Sequence, residues 1–239
     1  MKKVLIYILL VFLGVTIATL ILGDFLANTL KKNSENPYAF DVNQYKKIAP
    51  ELIKYKEVKR ISLDLPHPKG IDYYRSYLGI AYSEFIQLID TTGREVFRKS
   101  TDTANTCIAI SKEGILYLGS GRKIELFDLK GNPLRQWGIP GQKAIITSIA
   151  FKSSMVYIAN AGSHAVYRYN LKGELLNTFD GTGRLDGKFG FIIPSSYFDL
   201  AIGPDDQLWV ANPGIQSIEN YTDLGILRAY WGKASFEVA

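Results

Sequence analysis

Along residues 70–232 the apolar positions fall in short runs rich in Val, Ile, Leu, Tyr and Phe, interrupted by Gly, Asp, Asn and Ser. That spacing predicts short β-strands joined by tight turns. It is clearest at residues 147–151, 156–160, 165–170 and 174–179, which read as four successive strands. The same order recurs four times. A glycine closes the turn between the third and fourth strand of each copy, at Gly93, Gly131, Gly173 and Gly225, at intervals of 38, 42 and 52 residues. Upstream of these by 12, 12, 14 and 14 residues stands a small residue in an apolar strand: Ala81, Gly119, Ala159 and Ala211. Six residues after three of the glycines comes Trp137, Phe179 or Trp231, while the first copy has Lys99.

Coupled columns at a period of about 40 residues, built only from strands, predict an all-β fold of the β-propeller type. The glycines are expected to supply positive φ at hairpin turns. The small residues are expected where neighbouring sheets approach closely, and the aromatic column between blades. Leu52, Tyr55, Val58, Ile61, Leu63 and Leu65 lie among charges and read as an outer strand that closes the ring.

Three stretches resemble successive portions of the NHL repeat: Pro68-Lys69-Gly70-Ile71-Asp72, residues 156–166, and residues 183–194. Asn160 and Asn212 stand where that repeat usually carries aspartate. The resemblance covers roughly residues 58–239 and implies a six-bladed NHL-type propeller. Six repeats would need roughly 250 residues, whereas residues 61–239 number 179. The chain therefore reads as about four blades of an incomplete six-bladed ring, with a four-bladed ring as the other reading.

Ahead of the repeats, residues 4–22, from Val4 to Leu22, carry no charge and follow Lys2-Lys3. As a helix they would cover roughly 28 Å, close to a bilayer core. A cleaved signal is the competing reading, although Phe25 stands two positions before Ala27 and makes a poor cleavage site. Residues 1–23 are expected to be a single-pass membrane anchor with its amino terminus inside. Residues 24–51 are expected to be a polar tether, and residues 52–239 a propeller outside the cytoplasm.

The formal net charge of +5 sits outside the repeats. Residues 1–60 hold ten Lys/Arg against five Asp/Glu, and residues 61–239 hold eighteen against eighteen. The propeller lacks the bulk cationic field that nucleic acid requires, which argues against that partner. Cys107 is the only cysteine, so the chain can form no internal disulfide and no cysteine metal site. His67 and His164 are the only histidines. This matters because some NHL-type propellers are zinc-dependent lyases, and two histidines cannot make a three-histidine centre.

The glycine-rich stretch 181–187 leads toward a strand and lacks the helix that a phosphate cradle needs. It reads as a long inter-blade loop, with Arg184 and Lys188 as solvated charges by default and contacts for an anionic partner as the other reading. No nucleophile motif or carboxylate pair marks a catalytic site. If successive blades converge on one rim, a ligand face is expected from Ser120, Arg122, Asn160, His164, Arg184 and Asn212. The function read from these residues is a membrane-anchored binding or scaffold module for a protein, peptide or saccharide. The alternative is an NHL-type lyase or hydrolase acting on a small ligand with a metal ion in its channel.

Overall fold

The computed structural model describes residues 2–32, 50–63, 65–141, 143–181, 191 and 198–232. The chain divides into two compact units, residues 1–58 and 59–239. In the first, α1 (Lys2–Lys32) is one continuous helix. It runs past Gly23 into the segment read as a tether, since no proline breaks residues 24–32. Among the described residues no helix is long and apolar enough to cross a membrane. The span expected over residues 4–22 therefore rests on sequence alone.

The second unit is four antiparallel sheets of four strands, each a meander in chain order. Blade 1 is β1 (Gly70–Tyr74), β2 (Tyr77–Ala81), β3 (Phe85–Asp90) and β4 (Glu95–Ser100). Blade 2 is β5 (Asn105–Ile110), β6 (Leu116–Ser120), β7 (Lys123–Phe127) and β8 (Pro133–Gly138). Blade 3 is β9 (Ile146–Lys152), β10 (Met155–Asn160), β11 (Ala165–Asn170) and β12 (Leu175–Phe179). Blade 4 is β13 (Asp199–Ile202), β14 (Leu208–Asn212), β15 (Ser217–Tyr221) and β16 (Leu227–Trp231). The arrangement is consistent with an incomplete β-propeller. The innermost strands neighbour one another in the order β1, β5, β9, β13. Among the described residues no comparable contact joins β13 back to β1.

Alternation within each strand sends one set of side chains to the preceding blade and the other to the following one. Ala81, Ile86 and Leu88 of blade 1 thus meet Ile108, Leu116 and Leu118 of blade 2. Tyr117 and Ile124 meet Val156 and Ile158 across the next gap. Tyr157, Val166 and Phe179 meet Leu208, Val210 and Tyr221 across the third. Each fully buried aliphatic contributes about 1.5–3 kcal/mol. The third gap also carries a polar clasp: Asp223 accepts hydrogen bonds from Lys152 Nζ at 2.6 Å and Tyr157 Oη at 2.9 Å. Partial burial raises the Asp223 carboxyl, but the bonds from Lys152 and Tyr157 outweigh it and hold the group below its ordinary value.

The four turn glycines all have positive φ, between 81° and 94°. Each except the first seats against an aromatic ring of the preceding blade. A Cβ on Gly131 would lie 2.9 Å from the Phe97 ring, and one on Gly173 2.9 Å from the Trp137 ring. A Cβ on Gly225 would run into Phe179. In blade 1 the aromatic that meets the following glycine is therefore Phe97, two residues before the Lys99 that breaks the column. At Gly93, Ile61 takes the place of a preceding blade's ring, 3.2 Å from where a Cβ would stand.

That contact corrects the expectation of a ring-closing strand from Leu52 to Leu65. Pro50–Leu52 is a turn of 3-10 helix, and the described residues that follow form no strand. Tyr55 and Val58 are 93% and 91% exposed, so the segment has no buried face to support a strand. Ile61 and Leu65 instead pack on Ile80 and Ile89 and cover the first face of blade 1.

At the other end, no sheet among the described residues covers the last face of blade 4. The column Ile86, Ile124 and Val166 is fully buried, whereas its fourth member, Ile218, is 48% exposed. Trp231 is 56% exposed. Leu208 and Val210 of the same blade are fully buried against blade 3, because their strand positions point away from this face. The small-residue column repeats the contrast, with Ala81 and Ala159 fully buried and Ala211 partly exposed. Ala159→Leu is expected to overpack the third gap and cost about 1–3 kcal/mol, with Ala211→Leu close to neutral. Denaturant midpoints of the two variants check this, and equal losses would contradict the open face.

Candidate ligand site

The four innermost strands together line one cavity of about 750 Å³. Its wall is largely strand backbone, because β1, β5, β9 and β13 each turn a free edge toward it. Polar side chains punctuate these otherwise apolar strands. Asp72 Oδ2 accepts the Ile110 N–H at 2.6 Å and so ties β1 to β5. Thr147 Oγ1 donates to the Phe198 carbonyl at 2.6 Å, and Ser148 Oγ accepts the Leu200 N–H at 3.1 Å, tying β9 to β13. Lys69, Lys112 and Asp199 also line the cavity and are exposed. Lys69 and Lys112 present their ammonium groups there, and Asp199 presents a carboxylate whose Oδ1 accepts the Leu200 N–H at 2.9 Å, while Asp72, Thr147 and Ser148 hold the blades in register.

Cys107 lies in the same wall, with its residue 6% exposed. Burial pushes its thiol up to about 12, so it stays protonated near neutral pH and is no nucleophile. Among the described residues no three His, Cys, Asp or Glu side chains gather closely enough to hold a metal ion.

Of the residues expected to form a ligand rim, Ser120, Asn160 and Asn212 end the second strands β6, β10 and β14, and Arg122 and His164 lie in the turns that follow β6 and β10. Their side chains differ in what they are free to do. Ser120 is fully buried and hydrogen-bonded to Thr103. Asn160 is fully buried, and its Oδ1 accepts the N–H groups of Ile145 at 2.9 Å and Gly162 at 3.1 Å. Asn212 is 2% exposed and its Nδ2 donates to Glu219 at 3.3 Å. These three shape the turns. Arg122 is exposed in the β6–β7 turn, and His164 is partly exposed in the β10–β11 turn at φ 53°. Arg184 lies outside the described residues. The cavity residues were missed because their signal is slight: single polar residues such as Asp72 and Asp199 within inner strands.

No protein-family model and no curated protein matches the sequence. Among solved structures the chain is similar to virginiamycin B lyase from Staphylococcus aureus, with a TM-score of 0.54 and 17% identity over 67% of this chain and 54% of that one. It is similar to a streptogramin B lyase, with a TM-score of 0.55 and 18% identity over 71% and 57%. A chain of the mitotic checkpoint complex gives a TM-score of 0.53 at 14% identity over 74% and 61%. The chain thus spans little more than half the length of the two lyases. At these identities the likeness concerns the fold, and it agrees with the sheet topology: this is a β-propeller architecture with four blades among the described residues.

Proposed function

We propose that this chain is an NHL-type β-propeller binding module that takes a protein, peptide or saccharide ligand in the cavity between its inner strands. The observation that carries this reading is the shared cavity of about 750 Å³, a size suited to ligand capture. All four blades reach it, and the exposed charged residues Lys112 and Asp199 line it. The NHL type is supported by the residues at 68–72 and 156–166. The uncharged run 4–22 behind Lys2-Lys3 supports a further part of the proposal, that the N-terminal segment holds the propeller at the outer side of a membrane. Recovery of the intact chain in the membrane fraction is expected, and an uncleaved chain found wholly in the soluble fraction would overturn the anchor.

The second reading, a lyase or hydrolase with a metal ion in the channel, needs ligating side chains that the described residues do not bring together. Peptide and glycan arrays probed with the intact chain test the choice. Capture by the wild type, lost in a Lys112→Ala, Asp199→Ala double variant, is expected. Turnover of ester or lactone probes with no array capture would favour the enzyme.

A further inference from the structure

We propose that the last face of blade 4 is a docking surface for a second copy of this chain, which pairs through the same face about a two-fold axis. Strand pairing puts Ala201, Trp209, Ala211, Ile218, Ala229 and Trp231 on this face. Its apolar columns continue the contacts that fill the three gaps between blades: Ile218 follows Ile86, Ile124 and Val166, and Trp231 follows Trp137 and Phe179. No sheet among the described residues covers it, and Ile218 and Trp231 are 48% and 56% exposed.

What this face lacks is the polar latch by which each covered face holds the blade after it. One row across the sheets carries that latch, running through Asp72 and Gly79 in blade 1, Tyr117 and Arg135 in blade 2, and Tyr157 and Arg168 in blade 3. From it Asp72 accepts the Ile110 N–H at 2.6 Å, Arg135 donates to the Lys172 carbonyl at 2.9 Å, and Arg168 donates to the Asp223 carbonyl at 3.0 Å. In blade 4 the row reads Ala201, Trp209, Asn220, Ala229. Asn220 is buried, and its Nδ2 is spent on the Leu208 carbonyl of its own blade at 3.4 Å. The face therefore keeps the apolar half of a blade contact without the directed half. That suits an occupant other than the next blade of the repeat.

A second copy fits, and only in one way. Ile61 and Leu65 cover the first face of blade 1, which blocks head-to-tail pairing of copies. Like face on like face gives a closed pair. With the axis along the strands, the order β13-β14-β15-β16 sets Ala211 of each copy against Ile218 of the other, small against large. The same rotation parts the two Asp199 carboxylates to opposite edges, and Asp199 is the one charged residue that the described strands place on this face. Paired tryptophans and a centre without charge are the composition of an interface core. Four short strands make a face of roughly 300 Å², below the roughly 800 Å² per partner of a standard interface. Pairing is therefore weak, and single copies prevail at the low concentrations used for unfolding. The pairing does not rest on the ligand reading of the cavity.

The test is crosslinking of the full chain in mild detergent with a short bismaleimide, beside sedimentation equilibrium. Cys107 is buried, so the wild type is expected to stay uncrosslinked. Ile218→Cys, beside the axis, is expected to give a covalent dimer whose yield rises with concentration. Ile71→Cys, 62% exposed on β1, is expected to give none. In sedimentation the wild-type mass is expected to rise with concentration. Ala211→Arg, which would bury an unpaired charge at the centre of the contact, is expected to remove that rise at an unchanged melting temperature. No Ile218→Cys dimer at the highest concentration, an equal yield from Ile71→Cys, or a rise in mass that persists in folded Ala211→Arg would each overturn the assignment. Single copies with Trp209 and Trp231 shielded from acrylamide quenching would also overturn it, since a segment of the chain itself would then occupy the face.

Discussion

Trp137→Ala is expected to destabilise the propeller by about 3 kcal/mol, while Trp231→Ala, at the same repeat position, costs about 1 kcal/mol or less. Trp137 is wedged between blades 2 and 3, 5.9 Å from the Tyr117 ring, with Gly173 seated against its face. Truncation there opens a cavity that the flanking sheets cannot close, since both are fixed by backbone ladders. Among the described residues Trp231 has the Trp209 ring beside it, at 4.9 Å, and it is 56% exposed. Denaturant unfolding of both variants, with the slope checked for two-state behaviour, measures the difference. Equal losses would mean that the last face of blade 4 is covered.

Gly225→Ala should also be costly, by about 2–4 kcal/mol, from two sources. A side chain at φ 81° forces an L-residue into the left-handed region. Its Cβ would also occupy the place of the Phe179 ring, which cannot withdraw because it is held between Phe191 and Tyr221. Gly93→Ala, where the neighbour is the single Ile61 methyl at 3.2 Å, should show mainly the backbone cost. A thermal unfolding series separates the two contributions. Similar losses at both sites would argue that the ring contact at Gly225 contributes nothing.

Much of the fold was legible because its constraints leave marks on single residues. A hairpin turn that needs positive φ selects glycine, and a close sheet contact selects Ala81, Gly119 or Ala159. Both marks recur at a fixed distance, so they expose the blades without any knowledge of the partners. The candidate site is different. Ser120, Asn160 and Asn212 are polar at loop positions, and polarity alone does not tell whether the partner is a ligand or the protein's own backbone. In the structure Asn160 binds backbone, Ser120 binds Thr103 and Asn212 binds the Glu219 side chain. Lys99 was visible as a broken column, but that Phe97 takes over the contact with Gly131 depends on the neighbouring sheet, which local pattern cannot reveal. The direction of the open flank turned on a period of two: Leu208 and Val210 lie one residue out of phase with Trp209 and Ala211, and so face blade 3.

Every gap between sheets joins blades adjacent in sequence, and the first blade is covered by the residues immediately ahead of it. Energetically this makes the second unit a linear array, in which each member is stabilised by its immediate neighbours and little else. Such an array can assemble progressively as it leaves the ribosome, each hairpin pair settling on one already formed, with no long loop to close first. It also comes apart from its weaker end. Blade 4, supported on one side, sets the lowest opening free energy, and its amide hydrogens should be the first among the blades to exchange with solvent.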